Sequence, residues 1–532
     1  MRPFEKTGAF RPSEGPIRDL AVRGAGTILF SGGVGTVLHI IAAIALARLL
    51  TPRDFGVVAM VTTFSLLLGN FGLNGFTEAI LQFEDLDDVL ASNLFWINLG
   101  VGTLLTVVFA GAGTLLARFY KDPVVANVAV GTSISIFLTS TSVQHLALLK
   151  RAMRFSVVSA NDIVARAVSV VISIFLAWRG WGYWALVAQV IAVPLSTSIG
   201  AWILCRWLPL FPRRAANTPA MVRFAMHVYG RFTVNYFSRN TDNLLVGWRF
   251  NAQALGFYKK AYDLFALSAG LLVSPLANVA IAALSRFNPR SAEFRRYLVN
   301  SFTVLAFVGM GLGANLTLVG KDVIRLPLGT KWEESGRIFM FFGPGIGIMM
   351  LYFTHGWIHL SIGRADRWFR WGIVELAVTV LLFLLCLRWG AVGIAVAWTA
   401  SFWILTIPAI WYAGRPIQFG VAPMLAATWK FVLASALAAC ASALTMHRVA
   451  SVFWGNGLVQ TAARIAITSA GFSILYLGLV IVLHRGCAPL YQLARLVRGM
   501  LPVGKFPKSS SVPAMACAVG ESAVLAEPVA AK

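Results

Sequence analysis

The 532-residue chain has only 12% charged residues and a mean hydropathy of +0.74, whereas a soluble domain is about 25% charged. A soluble chain this apolar would expose large patches and aggregate. The net charge of +24 would suggest nucleic acid in a soluble protein, but here the basic residues fill short gaps between apolar runs, as positive-inside bias and attraction to an anionic leaflet require. Nucleic acid is therefore set aside as a partner. The expected fold class is all-α, a polytopic membrane protein with about fourteen transmembrane helices.

Residues 1–25 form a polar segment, expected on the cytoplasmic side, and the apolar run after it is too long for a signal peptide. The first six spans are expected near 26–47, 55–77, 91–117, 124–148, 157–178 and 182–205. A linker, 206–220, leads to six more near 221–248, 256–284, 298–319, 338–361, 371–387 and 391–412. Two further spans, near 424–446 and 459–484, lie in a segment running 413–485, and a tail, 486–532, lacks periodicity and reads as disordered and cytoplasmic. With alternate gaps assigned to opposite sides, about 27 Lys and Arg fall with the N-terminus and about 14 opposite, so both termini are expected inside. The gaps leave no room for a soluble catalytic domain.

Two sequence pairs suggest a duplication. Leu-Leu-Thr-Pro-Arg-Asp-Phe-Gly at 49–56 is answered by Phe-Asn-Ala-Gln-Ala-Leu-Gly at 250–256, and Trp181-Gly182 by Trp389-Gly390. The spacing of about 200 residues implies two six-helix units, 26–205 and 221–412, in the same orientation about an axis normal to the membrane.

The seventh span is unusually polar. His227, Arg231, Asn235, Arg239, Asp242 and Val246 share one helical face, while Phe224, Phe232, Val234, Phe237 and Leu244 share the other. Charge inside a bilayer is costly, so this stripe must meet protein, water or a polar substrate. Arg239 and Asp242 could also neutralise each other at i,i+3. In the first span Thr27, Ser31, Gly35 and His39 make a narrower polar line. Arg166, Asp263, Glu375 and Arg464 are further buried charges, of which Asp263 and Glu375 could carry a coupling ion. Asn70, Asn74 and Asn93 suit interhelical hydrogen bonds. Pro194, Pro275, Pro344 and Pro408 lie within spans, with Gly343-Pro344-Gly345 the sharpest break. His355 and His359 stand at i,i+4 without the Glu of a zinc-binding helix, and none of the five cysteines makes a CxxC pair. Neither a metal nor a cofactor is expected, and no nucleotide-binding loop is present.

Several of these passages resemble the polysaccharide-export, Wzx-type flippases of the multidrug/oligosaccharidyl-lipid/polysaccharide exporter superfamily. They are Ala47–Gly56, Gly72–Phe76, Trp181–Ala185, Thr241–Gly247 and Ala254–Tyr258. The resemblance covers about residues 20–485. It implies two six-helix lobes around a central cavity plus two C-terminal helices. It implies a non-enzymatic flippase for an undecaprenyl-diphosphate-linked oligosaccharide in the bacterial inner membrane, working by alternating access for exopolysaccharide or lipopolysaccharide biosynthesis. Membrane lipids and a polysaccharide polymerase or co-polymerase would be its partners. Such cavities are lined by cations, which places Arg231 and Arg239 at the substrate diphosphate, with Asn235, Asp242 and His39 beside them. An ion-coupled drug or cation antiporter of the same fold would favour carboxylates in the cavity. A membrane polysaccharide polymerase or ligase would carry a large far-side loop, and none is present.

Overall fold

The computed structural model describes residues 3–5, 10, 17–83, 86–213, 218–449, 457–487 and 490–491. Most of the 486–532 tail therefore lies outside the described residues. Residues 1–486 form one compact unit. Among the described residues the secondary structure is helical apart from an isolated bridge between Phe4 and Phe10.

The first six-span unit is built from α1 (Ile17–Leu49), α2 (Pro52–Gln82), α3 (Asp88–Gly111) with its continuation α4 (Gly113–Tyr120), α5 (Val124–Arg151), α6 (Phe155–Trp178) and α7 (Tyr183–Cys205). The second is built from α8 (Thr218–Arg249), α9 (Ala252–Leu284), α10 (Ala292–Leu328), α11 (Glu333–Tyr352) with α12 (Thr354–Ser361), α13 (Ala365–Cys386) and α14 (Gly390–Gly414). Helices α15 (Ala422–Val449) and α16 (Leu458–His484) follow and pack on α10. Among the described residues eleven segments are long and apolar enough to cross a membrane; two of them, Thr330–Ser361 and Ala365–Ile417, each contain two α-helices. Helices α8 and α9, 32 and 33 residues long, are also of membrane-spanning length. The arrangement is compatible with fourteen crossings, and the chain is a multi-pass membrane protein.

Most helices outrun their apolar runs, because a helix continues past the hydrocarbon with polar residues. Helix α1 begins at Ile17, nine residues or so before the expected span, and Phe4 is buried in the first unit's core against Trp207, with ring centroids 6.1 Å apart. The 1–25 segment is thus partly built into the fold. Helix α11 passes unbroken through Gly343-Pro344-Gly345 and stops at Phe353 instead. Helix α14 supports that turn: Thr399 Oγ1 donates to the Phe341 carbonyl at 2.6 Å and Trp403 Nε1 to the Pro344 carbonyl at 3.2 Å. Of the three asparagines expected to link helices, Asn93 bonds between segments, to the Arg213 carbonyl and to Thr218, while Asn70 and Asn74 bond within α2. Their side chains reach the carbonyl one turn back.

Local chemistry at both motif pairs is shared. Thr51 caps α2 and forms a capping box with Asp54, with Pro52 at the first helical position. Two hundred residues later Asn251 caps α9, accepting from the Ala254 N–H at 2.8 Å. Gly182 and Gly390, ahead of α7 and α14, both take positive φ, +55° and +77°, where a side chain would be strained. The motifs then meet each other. Gly56 lies on the backbone of Ala252, and Gly256 on the backbone of Pro52, so closely that any Cβ would collide. The contact is reciprocal, as a two-fold axis between equivalent units requires. Around it Arg48 donates to the carbonyls of Leu326 and Pro327, Trp332 Nε1 to Ala47 at 2.9 Å, and Ser335 Oγ to Phe257 at 2.9 Å.

Candidate functional site between the two helical units

Helix α8 has two different sides. Its aromatic side packs along α2: Phe224 meets Phe83, and Tyr229 meets Phe71 with centroids 4.9 Å apart. Tyr229 and Tyr236 donate their hydroxyls to the Leu67 and Thr63 carbonyls at 2.9 and 2.8 Å. Packing of the aromatic side leaves the stripe of basic and amide residues to the other. Arg231 and Asn235 belong to the helix, but their side chains lie outside the described set. Arg239 is exposed and lies in the electrostatic field of Tyr262 and Glu375. Exposure of a guanidinium at this depth calls for water or an anion, since lipid would not tolerate it.

Asp242 is placed differently. It is fully buried, and its carboxylate accepts from the Tyr258 hydroxyl at 2.6 Å and from Trp398 Nε1 at 3.1 Å. The Asn243 N–H adds a third bond at 2.8 Å. No contact ion pair with Arg239 is found among the described residues. Asp242 therefore ties α8 to α9 and α14, and Arg239 stays available.

A second set of charges faces this region from α1, α6 and α9. Lys259 pairs with Asp263 at 2.5 Å, and both are half-buried. The Lys260 ammonium sits over the Phe55 ring, 4.1 Å from its centroid. His39 is exposed and lies in the field of Asp263, Lys260, Lys259 and Arg166. Arg166 is held by Asp162 one turn away at 2.8 Å. His39, Arg166, Lys259, Lys260 and Asp263 thus form one electrostatic neighbourhood contributed by both units. Its cations are paired with single carboxylates or an aromatic face, so an incoming polyanion could share them without displacing a deep clamp.

Glu375, on α13, is half-buried, with Tyr352 and Arg239 in its electrostatic field. Arg464, the remaining charge singled out from the sequence, forms a two-point pair with Asp322 at 2.7 and 3.1 Å, which fastens α16 to α10. Sequence reasoning missed Lys259 and Lys260 because they fall at the polar start of an apolar run. The i,i+4 spacing of Lys259 to Asp263 is the signal that could have found them, since it sets opposite charges on one face inside the expected 256–284 span.

This arrangement of long helices is the fold of solved flippase and multidrug transporter structures. A lipid II flippase, MurJ, in an inward closed conformation, superposes over 87% of this chain and 99% of its own with a TM-score of 0.69 at 13% identity. An inward-facing multidrug resistance transporter of the MATE family superposes over 72% of this chain and 94% of its own, TM-score 0.58, also at 13% identity. Residues 45–337 match the polysaccharide biosynthesis protein family, and the chain belongs to that family. The teichuronic acid biosynthesis protein TuaB of Bacillus subtilis is 24% identical over 414 residues, 76% of this chain and 84% of its own. The succinoglycan biosynthesis transport protein ExoT of Rhizobium meliloti is 21% identical over 371 residues, 69% of this chain and 74% of its own.

Proposed function

We propose that this protein flips a lipid-linked oligosaccharide, carried on undecaprenyl diphosphate, across the bacterial inner membrane during polysaccharide biosynthesis. The observation that carries this reading is the basic neighbourhood of Arg239, Lys259, Lys260 and Arg166 between the two helical units, in a chain of the polysaccharide biosynthesis family. A diphosphate leaving water for a low-dielectric cavity needs fixed positive charge, and it needs charges that release it on the far side. The units would rock about the Gly56–Gly256 contact in alternating access. The units themselves are 26–205 and 221–412, and both chain termini would face the cytoplasm. The product would pass to a polysaccharide polymerase or co-polymerase, and the protein itself makes or breaks no covalent bond. A cation antiporter is disfavoured because Asp263 is already paired with Lys259 and the buried Asp242 carboxylate is already engaged by three hydrogen bonds.

The direct test is a deletion strain, in which lipid-linked repeat units should accumulate in the inner leaflet and export should stop. Arg239→Gln should reduce export about 10- to 100-fold, the worth of one charge-assisted hydrogen bond of about 1.5–3 kcal/mol, with unchanged protein abundance. Arg239→Lys should restore part of it, because it keeps the charge and loses the planar fork. Full export with Gln at this position would remove Arg239 from the substrate path.

A further inference from the structure

A groove of about 560 Å³ runs between α10, α11 and α14. Helix α10 contributes Thr317, α11 contributes Arg337, Met340, Phe341 and Pro344, and α14 contributes Val396 and Thr399. Phe342 shows which way the groove faces. It packs on Tyr258, Tyr262 and Phe265 of α9, the helix that carries Lys259 and Asp263 of the inter-unit site. At about 100° per residue, Arg337, Met340, Phe341 and Pro344 gather on the opposite side of α11. The groove therefore opens away from the inter-unit site, onto the surroundings of the bundle, which in a membrane are lipid.

The polar groups of its walls are already engaged. Thr317 Oγ1 donates to the Gly313 carbonyl at 2.8 Å and Thr399 Oγ1 to the Phe341 carbonyl at 2.6 Å. What remains is hydrocarbon contact, with one guanidinium at the end nearest the α10–α11 turn. Arg337 is 67% exposed and only loosely paired, with Glu334 at 3.7 Å. Glu333 is taken by Lys321. Arg337 stands one turn inside α11, and Pro344 lies about 10 Å further along the helix axis. An amphipathic molecule with a phosphate at headgroup depth and a chain below it spans that interval. The Arg337–Glu334 pair carries no net charge, so a diphosphate gains little there. A headgroup with one phosphate and one primary ammonium complements the pair group for group.

We propose that this groove binds a zwitterionic aminophospholipid of the phosphatidylethanolamine kind. Its phosphate meets Arg337, its ammonium meets Glu334, and one chain lies along Met340, Phe341, Pro344 and Val396. The site is separate from the one that holds the transported diphosphate, and it stands whether or not the flippase reading does. The bound chain joins α10, α11 and α14 beside Pro344, whose carbonyl already accepts from Trp403 Nε1 of α14.

The probe is a phosphatidylethanolamine with a diazirine in one chain, photolysed with the full-length protein in nanodiscs, and the cross-linked peptides are mapped by mass. Label should appear within 337–344 of α11 and 396–400 of α14. Unlabelled phosphatidylethanolamine should compete roughly fivefold better than phosphatidylglycerol, the worth of one good exposed ion pair. Glu334→Gln should erase that preference, because it removes the partner of the ammonium and leaves the cation for the phosphate. Arg337→Gln should weaken both competitors by a similar factor. Both substitutions lie at exposed positions, so the fold should persist. Val396→Trp should fill the groove and lower labelling whatever the headgroup. Labelling of α11 and α14 that is absent in wild type, or a headgroup preference that Glu334→Gln leaves unchanged, overturns the proposal. Better competition by a polyprenyl phosphate than by phosphatidylethanolamine overturns it too, and makes the groove a carrier-lipid site.

Discussion

At the scale of single residues, one carboxylate and one guanidinium three positions apart have been given separate work. Asp242 is enclosed by Tyr258 and Trp398, while Arg239 is exposed. If the two merely neutralised each other, an Arg239→Gln, Asp242→Asn double substitution would restore function. The geometry predicts the opposite: the double variant should export no better than Arg239→Gln alone, measured by complementation at matched abundance. Tyr258→Phe should lower stability by about 1–3 kcal/mol, because it removes one bond from a buried carboxylate, and thermal unfolding in detergent would read it. The stripe itself was legible in the sequence, since its spacing needs only helical periodicity. The partners of Asp242 were not: Trp398 lies 156 residues away, and no local pattern points across that distance. Glu375 was visible as a costly charge, but its neighbour Tyr352 looked like an ordinary aromatic of an apolar run.

At the scale of elements, helix ends carry the signals that survive in sequence. Thr51 with Asp54, and Asn251 with Ala254, announce the starts of α2 and α9 through their hydrogen-bonding chemistry. Helix interiors are less readable. Pro344 suggested a break, yet α11 continues because α14 supplies Thr399 and Trp403 to carbonyls near it. Tertiary donors of this kind are what allow proline within membrane helices. The crossing of α2 and α9 depends on having no side chain at Gly56 and Gly256. Gly56→Leu or Gly256→Leu should therefore destabilise the protein by about 1–3 kcal/mol, the usual cost of overpacking. Lower yield and a lower melting temperature should accompany weakened cross-linking between cysteines placed on either side of the crossing. Unchanged cross-linking would show that the crossing accommodates a side chain at these positions.

At the scale of the whole molecule, the Lys and Arg asymmetry makes a prediction about orientation. Tags at both termini should be accessible from the cytoplasm, and a tag in the 249–255 turn from the opposite side, with accessibility labelling in intact cells and lysed cells as the measurement. A C-terminus on the outside would break the even count of crossings. The order of the spans and their approximate bounds were legible, because hydropathy needs no knowledge of contacts, and a repeat of about 200 residues suggested a duplication. How the two units touch was not legible, because it depends on backbones meeting where glycine leaves them bare. That meeting bears on ancestry. Gly56 on Ala252 and Gly256 on Pro52 are the same contact made twice, and an isologous surface of that kind is complete in a single copy of the unit. A half-length chain carrying one Gly-bearing turn could have bound a second copy of itself through this surface before any gene fusion. The present protein reads physically as such a homodimer made permanent, with its two halves since free to diverge, one carrying the basic stripe of α8 and the other the narrower line of Thr27, Ser31, Gly35 and His39 in the corresponding helix.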